Sequence, residues 1–160
     1  MNAVPSGWWI VLIAIGAVFV AIGNINFNLA RDREKAASAS EKALSMLKAE
    51  SGRNLERIQQ MRQAMGTGQV RIEGFESTAW NVVSAGGLLV QVEPKTLEDI
   101  TGTYYLIELA GKYHSQLLDM TAGILSVLGG VEQTRTKYKA LLAEVLDRLE
   151  PKLRTLVGSP

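Results

Sequence analysis

Trp8 to Gly23 reads WWIVLIAIGAVFVAIG, sixteen nonpolar or glycine residues in succession. No charged side chain precedes Arg31, and Arg31, Asp32, Arg33, Glu34 and Lys35 then arrive together. From Trp8 to Ala30 the uncharged stretch is 23 residues long, which at about 1.5 Å per helical residue spans a hydrocarbon core of about 30 Å. A run without a polar face does not suit the surface of a globular protein, and Trp8 and Trp9 suit an interfacial aromatic belt. A cleaved secretory signal would want basic residues ahead of its apolar core. Ala21-Ile22-Gly23 offers a small-x-small site, but nothing basic precedes Trp8. The expectation is a retained transmembrane anchor over residues 1–30.

The remaining 130 residues are enough for one domain with a modest core. There is no cysteine, which excludes disulfides, thiolate metal sites and a cysteine nucleophile. Residues 31–71 hold nine Lys or Arg against five acids, and residues 72–160 hold eight against eleven. A mildly basic stem near lipid headgroups fits this asymmetry. Acids interleaved at this density make no nucleic-acid footprint.

Helix formers dominate Leu29 to Met65, with no proline and one glycine, Gly52. This predicts a stem over 31–66, its narrow apolar face formed by Leu44, Leu47, Leu55, Ile58, Met61 and Met65, with Ser51 and Asn54 as weak points. Gly66-Thr67-Gly68 should end it, and Gln69 to Gly74 alternates too briefly for a sheet. Ser77 is placed to cap a short helix over Thr78 to Ala85 that stops at Gly86-Gly87. Pro94 suits a first helical position, ahead of Glu98 and Asp99 in the early turns. The seam of that helix reads Leu97, Ile100, Tyr104, Ile107, Gly111, His114, Leu118, Thr121, Leu125 and Leu128. Gly129-Gly130 should reverse the chain into a last helix from Val131 to about Glu150, using Tyr138, Leu142, Val145 and Leu149, with Pro151 kinking or restarting it. The expected fold is all-α: a single N-terminal transmembrane helix continuing into a helical stem, then a small antiparallel helical bundle over 67–160 packing with the stem.

Nothing in this chain spells out a reaction. His114 is the single histidine, and without cysteine or a facing carboxylate it makes a poor metal site; it is expected in the packed seam. Asp119, His114 and Gln116 argue against a second span over Tyr113 to Val131. Tyr104 and Tyr105 suit either a ligand cleft or packing, and packing is the commoner fate. One histidine leaves no base and orienter for nucleophilic catalysis. Gly86-Gly87 and Gly129-Gly130 lack the strand, lysine and hydroxyl of a phosphate loop. No catalytic residue, cofactor or metal is expected.

Phe75-Glu76-Ser77-Thr78-Ala79-Trp80, with Gly86-Gly87-Leu88 and Tyr104-Tyr105 following, resembles a diffuse group of bacterial single-pass membrane proteins. Those proteins are alike in a span that ends in an asparagine-rich stretch and a charged helix, here Asn24-Ile25-Asn26-Phe27-Asn28 and Arg31 to Lys35. The resemblance implies a helical domain in which Phe75 and Trp80 pack at the join of stem and bundle, and it implies no activity. It also implies a bacterial inner membrane. Departing from the group, this chain has no basic residue before its span. Arg31, Arg33, Lys35 and Lys42 after the span favour a cytoplasmic domain, whereas the related proteins favour the opposite side.

Within the span, Ala14, Ala17, Ala21, Asn24 and Asn28 follow spacings of three and four and share one stripe. Small residues let helices approach, and asparagine amides in hydrocarbon need partners or water. The sequence therefore leads to a structural or accessory subunit, not an enzyme, that assembles through span and stem with itself or within a larger membrane complex. Two alternatives stay open: a pore lined in part by Asn24 and Asn28, and a sensor whose bundle binds a ligand.

Overall fold

The computed structural model describes residues 7–67, 73–90, 92–121 and 131–158, with the side chains of 7–14 and 131 outside that set. It is all-α: α1 (Gly7–Thr67), α2 (Thr78–Ala85), α3 (Pro94–Thr121) and α4 (Val131–Gly158), with no strand among the described residues. The chain divides within α1 into two compact units, one reaching Ala39 and the other beginning at Ser40.

In the first unit every described side chain from Ile15 to Lys35 is exposed. Among the described residues no helix is long and apolar enough to cross a membrane. The apolar run from Trp8 contributes only Ile15 to Gly23 to the described side chains, and Ala14 lies outside them.

The second unit is built around one apolar cluster. α1 contributes Ala43, Leu47, Ile58 and Met61, and α4 contributes Leu142, Val145, Leu146, Leu149 and Leu153. Steps of three and four on a single helix face produce both sets. Fully burying each leucine contributes about 1.5–3 kcal/mol of transfer free energy. Between Leu47 and Ile58 the stripe continues through Glu50, Ser51 and Asn54, all fully buried. Ser51 and Asn54, expected as weak points of the stem, therefore occupy its core face.

Helix ends follow local chemistry. Thr67 Oγ1 donates to the carbonyls of Gln63 and Ala64, both at 3.3 Å, where α1 runs out of amide partners. α2 closes in a Schellman arrangement, Leu88 N–H to Val83 C=O at 3.2 Å and Gly87 N–H to Ser84 C=O at 3.4 Å. Gly87 holds the φ of 61° that this closure requires. Leu88 then offers its carbonyl to Ser40 Oγ at 2.8 Å. Pro94 opens α3 as expected.

α3 and α4 run antiparallel, since Lys152 lies 3.9 Å from Asp99 while Tyr138 meets Tyr113 at a ring distance of 5.9 Å. α3 buries a wider stripe than its expected seam: Ile100, Thr103, Tyr104, Leu106, Ile107, Ala110, His114, Leu117 and Met120. Leu118 is only partly buried and Thr121 is exposed. The reason is that α3 has neighbours on two sides, Glu50 of α1 at Tyr104 and α4 along its length. Leu125, Leu128 and Gly129-Gly130 lie outside the described residues, as does most of Gln69 to Gly74. Asp119 is exposed.

Pro151 neither ends nor restarts the last helix, which continues to Gly158. Its missing N–H would have met the carbonyl of Asp147, and both residues are exposed. Water can take that carbonyl, so the usual penalty of an interior proline falls on the cheapest face.

Candidate functional site

α2 has no side-chain cap of its own, because Ser77 makes no capping hydrogen bond. The expected role of Ser77 passes to Glu50, a residue of α1 29 positions before the Ala79 N–H that it accepts. Glu50 Oε2 accepts the Ala79 N–H at 2.7 Å, and Oε1 accepts the Trp80 N–H at 3.3 Å. The Tyr104 hydroxyl donates to the same Oε1 at 2.7 Å. A buried acid thus meets the positive end of a helix and a phenol at once, the arrangement in which hydrogen bonds to a carboxylate are strongest.

One turn later Asn54 grips the chain ahead of α2. Its Nδ2 donates to the Glu76 carbonyl and its Oδ1 accepts the Glu76 N–H, both at 2.8 Å. Arg53 and Arg57 add ion pairs to Glu76 at 2.6 and 2.8 Å, and Arg57 also reaches Glu73 at 3.2 Å. Arg62 pairs with Asp147 and Glu150 of α4 at 2.8 and 3.0 Å. These three basic residues of the stem are committed to internal contacts.

The segment so fixed forms one wall of an open cleft, and α3 forms the other. Trp80 stacks on Tyr104, with ring centroids 4.9 Å apart and planes 9° from parallel. The ring of Trp80 is half-buried rather than enclosed, and Phe75 also packs against the core from a partly buried position. With Phe75 and Ile107, the residues Ser77, Asn81, Thr101, Tyr105, Glu108 and Gly111 complete the described lining of a space of about 450 Å³. That lies within the range of about 300–1,000 Å³ typical of small-molecule sites. Thr101, Tyr104, Tyr105, Glu108 and Gly111 meet there because they share one face of α3.

Phe75, Trp80 and Tyr104 are thus brought together, while His114 is buried farther along α3. Ala17, Ala21, Asn24 and Asn28 are exposed in the first unit. Among the described residues no group of His, Cys, Asp or Glu is placed to hold a metal ion.

Burial, then the hydrogen bond to Glu50, push the Tyr104 phenol well above its ordinary value of 10.0. A raised folded-state value means that the folded protein holds this proton more tightly than the unfolded chain. Its stabilisation is complete below about pH 10 and is lost as pH climbs beyond it. Denaturant melts from pH 9 to 12 should show a steep alkaline fall in the parent and a shallower one in Tyr104→Phe, values set by about the phenol range. Parallel curves would remove Tyr104 as the source.

No protein-family profile, characterised protein or solved structure matches this chain.

Proposed function

We propose that the chain is a membrane-anchored structural or accessory subunit, held by the apolar run from Trp8 and assembling through that run and the helical stem. One observation carries this reading. Phe19, Val20 and Phe27 are 71%, 64% and 67% exposed, with Val18 and Ile25 above one half, on a helix whose own chain covers none of them. The sequence there is uncharged through Ala30. An apolar helix exposed on all sides needs an apolar surround, which a bilayer and neighbouring helices both supply.

The stripe from Ala14 through Ala17 and Ala21 to Asn24 and Asn28 is the face proposed to meet a partner helix, either in a second copy or in another membrane protein. Close packing of small residues and amide pairing there contribute on the order of 1 kcal/mol per contact. The opposite face, with Val18 and Ile22, is left to lipid.

Alkaline and high-salt washing of membranes should leave the full chain in the pellet, and its release would reject the anchor. Native mass measurement in mild detergent should show a defined oligomer or a fixed partner. Ala17→Leu with Ala21→Leu should weaken that assembly, whereas Val18→Leu with Ile22→Leu should not. A lone monomer would defeat the assembly reading. Ion flux through liposomes carrying the purified protein would transfer the asparagines to a pore.

A further inference from the structure

The aromatic cleft is left unused by assembly through α1. Among the described residues its lining combines aromatic rings with one acidic side chain, Glu108, and no Lys or Arg. Tyr105 is 64% exposed, a large aromatic that the core does not bury. Gly111 contributes no side chain, and a Cβ built on it would meet nothing within 4 Å, so open space remains beside the rings. Behind the Trp80–Tyr104 stack, the Tyr104 hydroxyl donates to buried Glu50, which shifts electron density into the ring. Arg53, the cation that interacts electrostatically with Glu50 and Tyr104, is held by Glu76 at 2.6 Å.

Electron-rich ring faces attract cations and repel anions, most strongly for tryptophan and then tyrosine. An anion entering here would face both the rings and Glu108. We propose that the cleft binds a small organic cation of the alkylammonium class, received against Trp80 and Tyr105, with buried Tyr104 backing the Trp80 ring and Glu108 as its counter-charge. Ser77, Asn81 and Thr101 stand ready to bond a hydroxyl or carbonyl carried by the same molecule. The site lies wholly in the second unit and does not depend on whether α1 self-associates.

The same ammonium chemistry is offered by a free solute and by a zwitterionic lipid headgroup. Fluorescence of Trp80 reports on both once Trp8→Phe and Trp9→Phe have removed the other two tryptophans. The full chain is placed in vesicles of phosphatidylglycerol and titrated with choline. A saturable change is expected, with the neutral isostere 3,3-dimethylbutan-1-ol at least about tenfold weaker. Exposed Glu108→Gln should weaken choline by roughly three- to tenfold, and Tyr105→Leu comparably. Gly111→Leu, which fills open space without striking the backbone, should abolish the signal while helical circular dichroism is unchanged. In vesicles containing phosphatidylcholine, an increased apparent Kd for free choline assigns the site to headgroups, and an unchanged one assigns it to solutes. The absence of a saturable response, equal binding of the neutral isostere, or indifference to both Glu108→Gln and Gly111→Leu would overturn the proposal.

Discussion

Glu50→Ala is expected to cost about 3–5 kcal/mol of unfolding free energy, a large share of the 5–15 kcal/mol typical of a domain. The substitution strands the N–H groups of Ala79 and Trp80 and the hydroxyl of Tyr104, and it opens a void where the side chain stood. Each bond to a charged acceptor contributes about 1.5–3 kcal/mol, and each stranded buried group costs about 1–3 kcal/mol, overlapping terms that do not simply add. Glu50→Gln keeps the volume and one acceptor oxygen but turns an amide N–H₂ toward a donor, so about half the loss should remain. Urea unfolding followed by far-ultraviolet circular dichroism measures both. Tyr104→Phe made in the Glu50→Ala background should then cost less than it does alone, because the partner is already gone. If Glu50→Ala unfolds with the parent, the acid does not hold α2.

Asn54→Ala should cost about 2–4 kcal/mol, since one side chain satisfies both backbone groups of Glu76. Asn54→Asp separates the two halves of this role: it keeps the acceptor for the Glu76 N–H and places an oxygen against the Glu76 carbonyl. It should be at least as damaging as Ala despite its matching shape. The surface pair of Arg53 with Glu76 offers a contrast on the same segment. Its arginine is half exposed, and Arg53→Ala should cost much less than Asn54→Ala, because solvent screens an exposed pair. A ranking with Arg53 above Asn54 in denaturant midpoints would reverse the assignment of what fixes the chain before α2.

The punctuation of this fold was legible before any coordinates. Gly86-Gly87 and Pro94 mark helix ends by backbone conformation alone, and α2 spans Thr78 to Ala85 as read. Apolar seams located Leu47, Ile58, Leu142 and Leu149 in the core. What escaped on the same seam was Glu50, and the bonds that Asn54 makes from it. Glu50, Ser51 and Asn54 carry the three-and-four spacing of Leu47 and Ile58 unbroken, but a glutamate in a charged helix ordinarily faces water, so periodicity of apolar residues passes over it. The signal available in the register was an acid at a core position; that Ser77 leaves α2 uncapped is visible only in the structure. Trp80 was expected to pack with Phe75 at the join of stem and bundle, and Tyr104 in the seam of α3; the two rings stack on each other. That their stack also borders an open cleft depends on Gly111 and Tyr105 sharing a face with them, and on Trp80 remaining half-buried.

Eight residues cannot sustain a helix in isolation, because nucleation is costly and few hydrogen bonds follow it. The helicity of α2 is therefore conditional on Glu50 and Asn54, which lie two to three dozen residues upstream in sequence. Such an element forms late, after distant parts of the chain have met, and comes apart as a single piece when they separate. Amide hydrogens from Ala79 to Ala85 should exchange with one common opening free energy, below that of the paired α3 and α4. One wall of the aromatic cleft would then be drawn from the least protected layer of the bundle and the other from its most protected, so that occupancy of the cleft would register first as slowed exchange in α2.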